Sequence, residues 1–182
     1  MKFKEVLKYI KSDLFRYQGK IGLRGFIKEY FLNRGFCLTV WFRMSKIDNK
    51  VISTFSKIWL YTKRMRYNID ISHKTNIGYG LYIGHSGPIV INSTTIIGNN
   101  CNLSQFVSIG ANDTKGAEIG DNVYIGPNCC VVENVKIGND VTIGAGSVVT
   151  KDLPNNSTAV GNYAKVINYK SPGRYIVNKY TD

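Results

Sequence analysis

A parallel β-solenoid built of triangular coils is the fold class this sequence predicts, and three observations predict it. An aliphatic residue returns every six residues: Ile71, Ile77, Ile83, then Ile91, Ile97, Leu103, Ile109, then Ile119, Ile125, Val131, Ile137, Ile143 and Val149. Glycine follows directly at Gly78, Gly84, Gly98, Gly110, Gly120, Gly126, Gly138 and Gly144. A small or β-branched residue stands four positions after most of the aliphatics, as at Thr95, Cys101, Val107, Val123, Cys129, Val135, Val141 and Ser147. A fixed short period decides the fold before any local reading does. Six residues suit a short strand plus a tight corner, and three such units close one coil. An antiparallel sandwich would instead alternate with period two and turn every roughly 8–12 residues.

Each element then follows from its own stretch. Residues 1–67 read as a basic helical region. Phe3, Val6, Leu7, Ile10, Leu14 and Tyr17 keep helical spacing until Gly19 to Gly25 breaks it. Further helices are expected from about Phe26 to Leu32, from Phe36 to about Lys46, and after Asp48 as a cap. In the last of these, Val51, Ile52, Phe55, Ile58, Trp59 and Met65 share one side. Residues 68–167 form the solenoid, and 168–182 a C-terminal tail. Two interruptions break the period: Ile83 to Ile91 is eight residues and Ile109 to Ile119 is ten. They make loops of Gly84-His85-Ser86-Gly87-Pro88 and Ala111-Asn112-Asp113-Thr114-Lys115-Gly116. In a solenoid such insertions gather on one surface, often the binding surface. The glycines after the aliphatics are expected to permit the corner backbone.

Charge divides the chain in the same place. Residues 1–70 hold sixteen Lys/Arg against five Asp/Glu, and residues 71–182 hold eight against seven. Nearly all of the net charge of +12 therefore sits in front of the repeat. A basic, aromatic-rich helical appendage suits peripheral contact with an anionic membrane face, or a charged face turned to solvent over a buried apolar one. Nucleic acid is not expected, because no nucleic-acid module accompanies the charge. No stretch reaches the roughly 18 apolar residues of a membrane span. With no secretory leader visible and no Cys-x-x-Cys among Cys37, Cys101, Cys129 and Cys130, a reduced, cytoplasmic setting is expected.

The candidate chemistry is sparse. Only two histidines are present, His73 and His85, so no three-histidine metal site can be built and no metal is expected. His85 lies in a glycine-flanked loop, placed for access. Asp70 precedes it by fifteen residues, a little under one coil, and so is expected roughly beneath it. There a carboxylate would fix the imidazole tautomer and leave Nε2 free as a base.

These residues resemble a known family. Asp70-Ile71, Ile77-Gly78, Ile83-Gly84-His85-Ser86-Gly87 and Val90-Ile91 are similar to the catalytic stretch of the serine acetyltransferase group of hexapeptide-repeat acyltransferases. Ile143-Gly144-Ala145-Gly146-Ser147-Val148-Val149-Thr150-Lys151-Asp152-Leu153-Pro154 and Val160-Gly161-Asn162-Tyr163-Ala164-Lys165 resemble that superfamily's acetyl-CoA-binding end. The resemblance implies a left-handed parallel β-helix, a homotrimer with sites between neighbouring prisms, and acetyl-CoA as co-substrate. It implies His85 as general base and Asp70 as its partner. It places Gly126, Pro127, Gly144, Ala145, Thr150, Lys151 and Lys165 at the cofactor, with a backbone N–H near Gly126 for the oxyanion.

The departures point to a different acceptor. The group carries an acid before the catalytic histidine and an Arg-His pair in the second loop, where this chain has Gly84 and Lys115-Gly116. The front of the chain, with Ser12-Asp13-Leu14-Phe15-Arg16-Tyr17 and Gly35-Phe36 to Phe42-Arg43, is similar instead to small O-acetyltransferases of capsule, exopolysaccharide or lipopolysaccharide synthesis. The expectation is therefore transfer to a sugar hydroxyl, on a free or lipid-linked glycan. Serine O-acetylation is the alternative, and a non-catalytic scaffold in a membrane-associated complex is a third reading.

Overall fold

The structure is a computed structural model that describes residues 1–181. It is a parallel β-helix of about five turns, left-handed as the resemblance implied, with helices in front. Three faces make the prism. Face A holds strands Ile69–Ile71, Ile89–Ile91, Ser108–Ile109, Cys130–Val131 and Val148–Val149. Face B holds Asn76–Ile77, Ile96–Ile97, Glu118–Ile119 and Lys136–Ile137. Face C holds Tyr82–Ile83, Asn102–Leu103, Tyr124–Ile125, Thr142–Ile143, Thr158–Val160 and the antiparallel Lys165–Asn168.

The aliphatic period sets the register. Ile71, Ile91, Ile109, Val131 and Val149 stack on face A. On face B the row is Ile77, Ile97, Ile119 and Ile137. On face C it is Ile83, Leu103, Ile125, Ile143 and Ala159. All are buried, and so are the residues four positions on, from Thr95 to Ser147. Each coil thus buries its apolar row against the next, which stabilises by roughly 25 cal/mol per Å² of apolar surface removed from water.

The glycines have a different task from the one expected. Those after the aliphatics keep ordinary φ; the left-handed corner residues come two positions later, at Asn100, Asn122, Asn128, Asn134 and Asp140. Asn and Asp tolerate that region through local hydrogen bonding of their short side chains. The glycines permit close stacking instead: a Cβ on Gly98 would sit 2.6 Å from the carbonyl of Gly120, and one on Gly78 2.8 Å from that of Gly98. One corner breaks the rule, with Phe106 held at φ 61°.

Four helices close the first coil: α1 (Phe3–Gln18), α2 (Leu23–Leu32), α3 (Arg34–Met44) and α4 (Lys50–Tyr67). α2 begins three residues earlier than its spacing suggested. The cap of α4 is Asn49, whose side chain accepts from Val51 N and Ile52 N, while Asp48 pairs with the N-terminal amine. The open end of a solenoid exposes unpaired backbone groups, and side chains of α1 and α3 satisfy them here. Asp13 accepts from Leu81 N at 2.7 Å and Ser12 from Gly80 N at 2.9 Å. Arg43 donates to the carbonyls of Ile77 and Gly78 at 2.7 and 2.6 Å while its Nε meets Asp13 at 2.9 Å. Tyr17 OH donates to Ile83 O and accepts from Ile83 N. Burial pushes the Asp13 carboxyl above its ordinary value against the pull of Arg43, so this fully buried pair is a joint whose breaking leaves a stranded charge. The Ser12–Tyr17 and Gly35–Arg43 motifs are therefore the hinge plate between helices and prism.

The tail runs back along the prism as a strap. Gly173 N donates to Asp140 O, Asn102 Nδ2 to Tyr175 O, Arg16 Nε to Val177 O, and Tyr180 N to Asn100 Oδ1.

Candidate functional site

Both period breaks border one face. The His85 loop leads into face A and the 111–116 loop leaves it, so face A is the floor they frame. Its outward row is Asp70, Val90, Ser108, Cys130 and Val148. A cavity of about 320 Å³ lies at the lower end, lined by Arg64, Met65, Asn68, Asp70, Pro88 and Val90. A second, of about 310 Å³, lies above it between Ser108, Cys130 and the second loop. A wider concavity, about 800 Å³, is an open trough on face B between Ile96, Glu118, Lys136 and Asn155. It begins two residues beyond the second loop, at Glu118, and neither His85 nor Asp70 lines it, so it is not the candidate site.

His85 is exposed at the corner where face C turns into face A. That corner forms a column held by Phe106 N to Pro88 O at 2.7 Å, Asn128 N to Gln105 O at 3.1 Å and Gly146 N to Pro127 O at 2.8 Å. Gly126, Pro127, Gly144 and Ala145 thus share an edge with His85, with Pro127 two coil steps above, roughly 10 Å at the usual strand spacing. Thr150 and Lys151 stand across face A, at its corner with face B, and Lys165 lies on the closing antiparallel strand. One chain therefore separates the expected cofactor residues onto different edges.

Two geometric expectations change. The coil from Ile71 to Ile91 is twenty residues because the first loop adds two, so Asp70 pairs in register with Val90 rather than lying beneath His85. Its carboxylate is taken by Arg64 of α4. The Gly126 N–H donates to Ile143 O at 2.9 Å, and Gly144 N–H to Ala159 O at 2.9 Å. Both are spent in the ladder that joins coils, so neither is free for an oxyanion. Ala145, exposed on the same corner, has no ladder bond from its amide among the described residues.

Arg64, Ser108 and Glu133 carry no signal in the sequence, where Met65 stands out only as a helix-face residue and Cys130 only as a cysteine. Glu133 holds the second loop: its carboxylate accepts from Asn112 N at 2.9 Å and Thr114 N at 3.3 Å, and those backbone bonds pull its pKa down. Gly116 is packed down, its N–H on Thr94 Oγ1 at 2.7 Å, and a Cβ there would meet Thr95 N at 2.8 Å. His73 sits half-buried near Lys57, Lys74, Lys46 and Arg64; burial first and those cations next push its pKa down. Among the described residues no group of three or more His, Cys, Asp or Glu is placed to hold a metal.

Residues 116–151 match the model for the bacterial transferase hexapeptide (six repeats). That stretch, the upper coils of the prism, is similar to the hexapeptide-repeat transferases. Relatives of the chain include serine acetyltransferases. That of Helicobacter pylori is 40% identical over 103 residues, 54% of this chain and 60% of the relative. That of Synechococcus elongatus is 34% identical over 115 residues, 61% of this chain and 47% of the relative. The chain spans 47% to 60% of the length of these curated relatives. Among solved structures, Neisseria gonorrhoeae serine acetyltransferase in complex with serine superposes with a TM-score of 0.74 at 26% identity, over 91% of this chain and 70% of that one. A serine acetyltransferase in complex with CoA, 22% identical with a TM-score of 0.74, shares the fold over 91% of this chain and 71% of that one.

Proposed function

We propose that the protein is an acetyl-CoA-dependent O-acetyltransferase whose site is built on face A. The observation that carries this is the set of serine acetyltransferase relatives, joined to a prism whose two loop insertions frame one face. His85 takes the proton of the acceptor hydroxyl as its oxygen attacks the thioester carbonyl. The tetrahedral adduct then expels the CoA thiolate, which recovers that proton from the imidazolium. Asp70 orients His85 once its carboxylate leaves Arg64. The Ala145 amide, free of the coil ladder, replaces Gly126 as the candidate oxyanion donor. The edge that carries Pro127 and Ala145 meets the edge that carries Thr150 and Lys151 only when a second prism packs alongside, which favours a homotrimer.

For the acceptor, the relatives support L-serine better than the sugar hydroxyl that the sequence motifs favoured. Arg64 in the lower cavity, freed when Asp70 turns to His85, supports the same reading, since it offers a cation to the carboxylate of a zwitterion. A sugar hydroxyl remains the second reading, on a specific observation: the packed backbone of Gly116 leaves no room for an acceptor-gripping side chain there.

Thiol release from acetyl-CoA, followed with L-serine and with a panel of nucleotide sugars and oligosaccharides, decides between them. Transfer to L-serine at millimolar concentration supports the first reading, and transfer confined to the glycans supports the second. His85→Ala is expected to lower turnover by ~10²–10⁴-fold while calorimetric acetyl-CoA binding persists. Turnover within a fewfold of the parent overturns the assignment of His85. The basic front of the chain further favours a peripheral position at an anionic membrane face.

A further inference from the structure

Two of the four helices turn large apolar side chains outward. α4 buries Ser53, Ser56 and Leu60 against the rest of the protein. Its large apolar side chains Val51, Phe55, Ile58 and Met65 point outward, between 54% and 79% exposed. These fall at i, i+4, i+7 and i+14, one stripe along a helix of roughly 27 Å. α2 repeats the inversion: Glu29 is its one buried residue, while Leu23, Phe31 and Leu32 are each more than 70% exposed.

Trp41 of α3 joins the two stripes into one surface. Its Nε1 donates to Tyr30 OH of α2 at 3.1 Å, and its ring stacks on Trp59 of α4 at 5.6 Å. Tyr30 meets Phe31, and Trp59 meets Phe55, in edge-on contacts at 5.2 and 6.2 Å. A contiguous apolar area of this kind marks a contact surface.

Charge identifies what it contacts. α4 carries Lys50, Lys57, Lys63, Arg64 and Arg66 and no acid at all. A second copy presenting the same face would bring like charges together. Residues 71–182, with eight basic residues against seven acidic, are near neutral and are no match for a strongly basic face. An anionic bilayer complements both features, apolar residues entering the headgroup boundary and lysines meeting phosphates.

We infer that the joined outer faces of α2 and α4 form a docking surface for an anionic lipid bilayer, which holds the face A groove at the membrane surface. The stripe ends at Met65, which also lines the cavity with Asp70 and Pro88, so the docked protein presents that cavity at the lipid boundary. This rests on the exposed surface and not on the identity of the acceptor.

The test is flotation of the full-length protein with phosphatidylcholine vesicles and with vesicles of equal parts phosphatidylcholine and phosphatidylglycerol. Binding is expected only to the anionic vesicles, weakening as salt shortens the Debye length from ~10 Å at ~0.1 M to ~3 Å at ~1 M. Phe55→Ser/Ile58→Ser and, separately, Lys50→Gln/Lys57→Gln are each expected to weaken it by about tenfold or more. Equal binding to both vesicles, no binding, or variants that bind like the parent would overturn the inference. So would a change in oligomer mass in the Phe55→Ser/Ile58→Ser variant, since the face would then be a subunit contact. Acetyl transfer to a soluble acceptor should survive in both variants, which separates this inference from the enzymatic one.

Discussion

The prism and its helical front bury apolar residues by opposite rules. In the prism every aliphatic of the period is inside, packed on the coils above and below, and the outer rows are mixed and near neutral. In α4 most of the large apolar residues are outside, with Ser53, Ser56 and Leu60 inside, and in α2 Leu23, Phe31 and Leu32 are outside while Phe26 and Tyr30 pack inward, on a strongly basic background. The prism's apolar residues therefore serve its own stability. The exposed ones on α2 and α4 contribute little to folding and lie open to a contact. The two regions meet through buried cations, Arg43 and Arg16, as well as through Leu38, Phe42 and Leu60, which join the prism's apolar core.

The largest expected effect lies at that junction. Arg43→Met removes the partner of a fully buried carboxylate and the donors to Ile77 O and Gly78 O. Breaking such a pair from one side typically costs ~3–5 kcal/mol. Chemical denaturation should then show a lower midpoint, or a separate early transition as the helices leave the first coil. An unchanged midpoint would mean that the helices are held by their apolar contacts alone.

A matched pair of truncations tests the comparison itself. Ile125→Ala empties a position at the centre of the face C row, fully buried between Leu103 and Ile143. Ile58→Ala trims a side chain that faces out. The first is expected to cost about 2–5 kcal/mol and the second to stay within about 0.5 kcal/mol without vesicles. Equal losses, read from denaturant midpoints, would show that the α4 stripe is already covered in the free protein.

These contrasts explain what could be read beforehand. The coil register was legible because one side-chain class recurs at a fixed period, and the loops of two and four extra residues appear as longer coils on the expected side. The left-handed corners were legible too, in Asn100, Asn122, Asn128 and Asn134, and not in the glycines that follow the aliphatics. The outward turn of α4 was not, because helical spacing shows only that Val51, Phe55 and Ile58 share a side. Which side is buried depends on Ser53 and Ser56, small enough for α3 to approach. The tail was unreadable because polar side chains far away in sequence, Asn100, Asn102 and Arg16, hold it. In the site, His85 stood out by its loop. The position of Asp70 did not, since the same insertion that exposes His85 shifts the stacking beneath it.

The smallest effect concerns Lys46, which bridges the two regions by donating to Thr75 O at 2.7 Å. Burial, then the nearby Arg43 guanidinium, lowers its pKa from the ordinary 10.5 to about 8. A cation depressed in the folded state is protonated in both states below pH 8, where its desolvation cost is fully present. Between about 8 and 10.5 the unfolded chain binds the extra proton, so this group makes stability rise with pH across that window. Because the side chain is partly open to solvent, the rise should be at most about 1 kcal/mol. Lys46→Met should flatten the slope, measured as the denaturant midpoint at pH 8 and pH 10 against the parent. A slope that survives the substitution would assign it to other groups and leave Lys46 as an ordinary surface cation reaching across the seam.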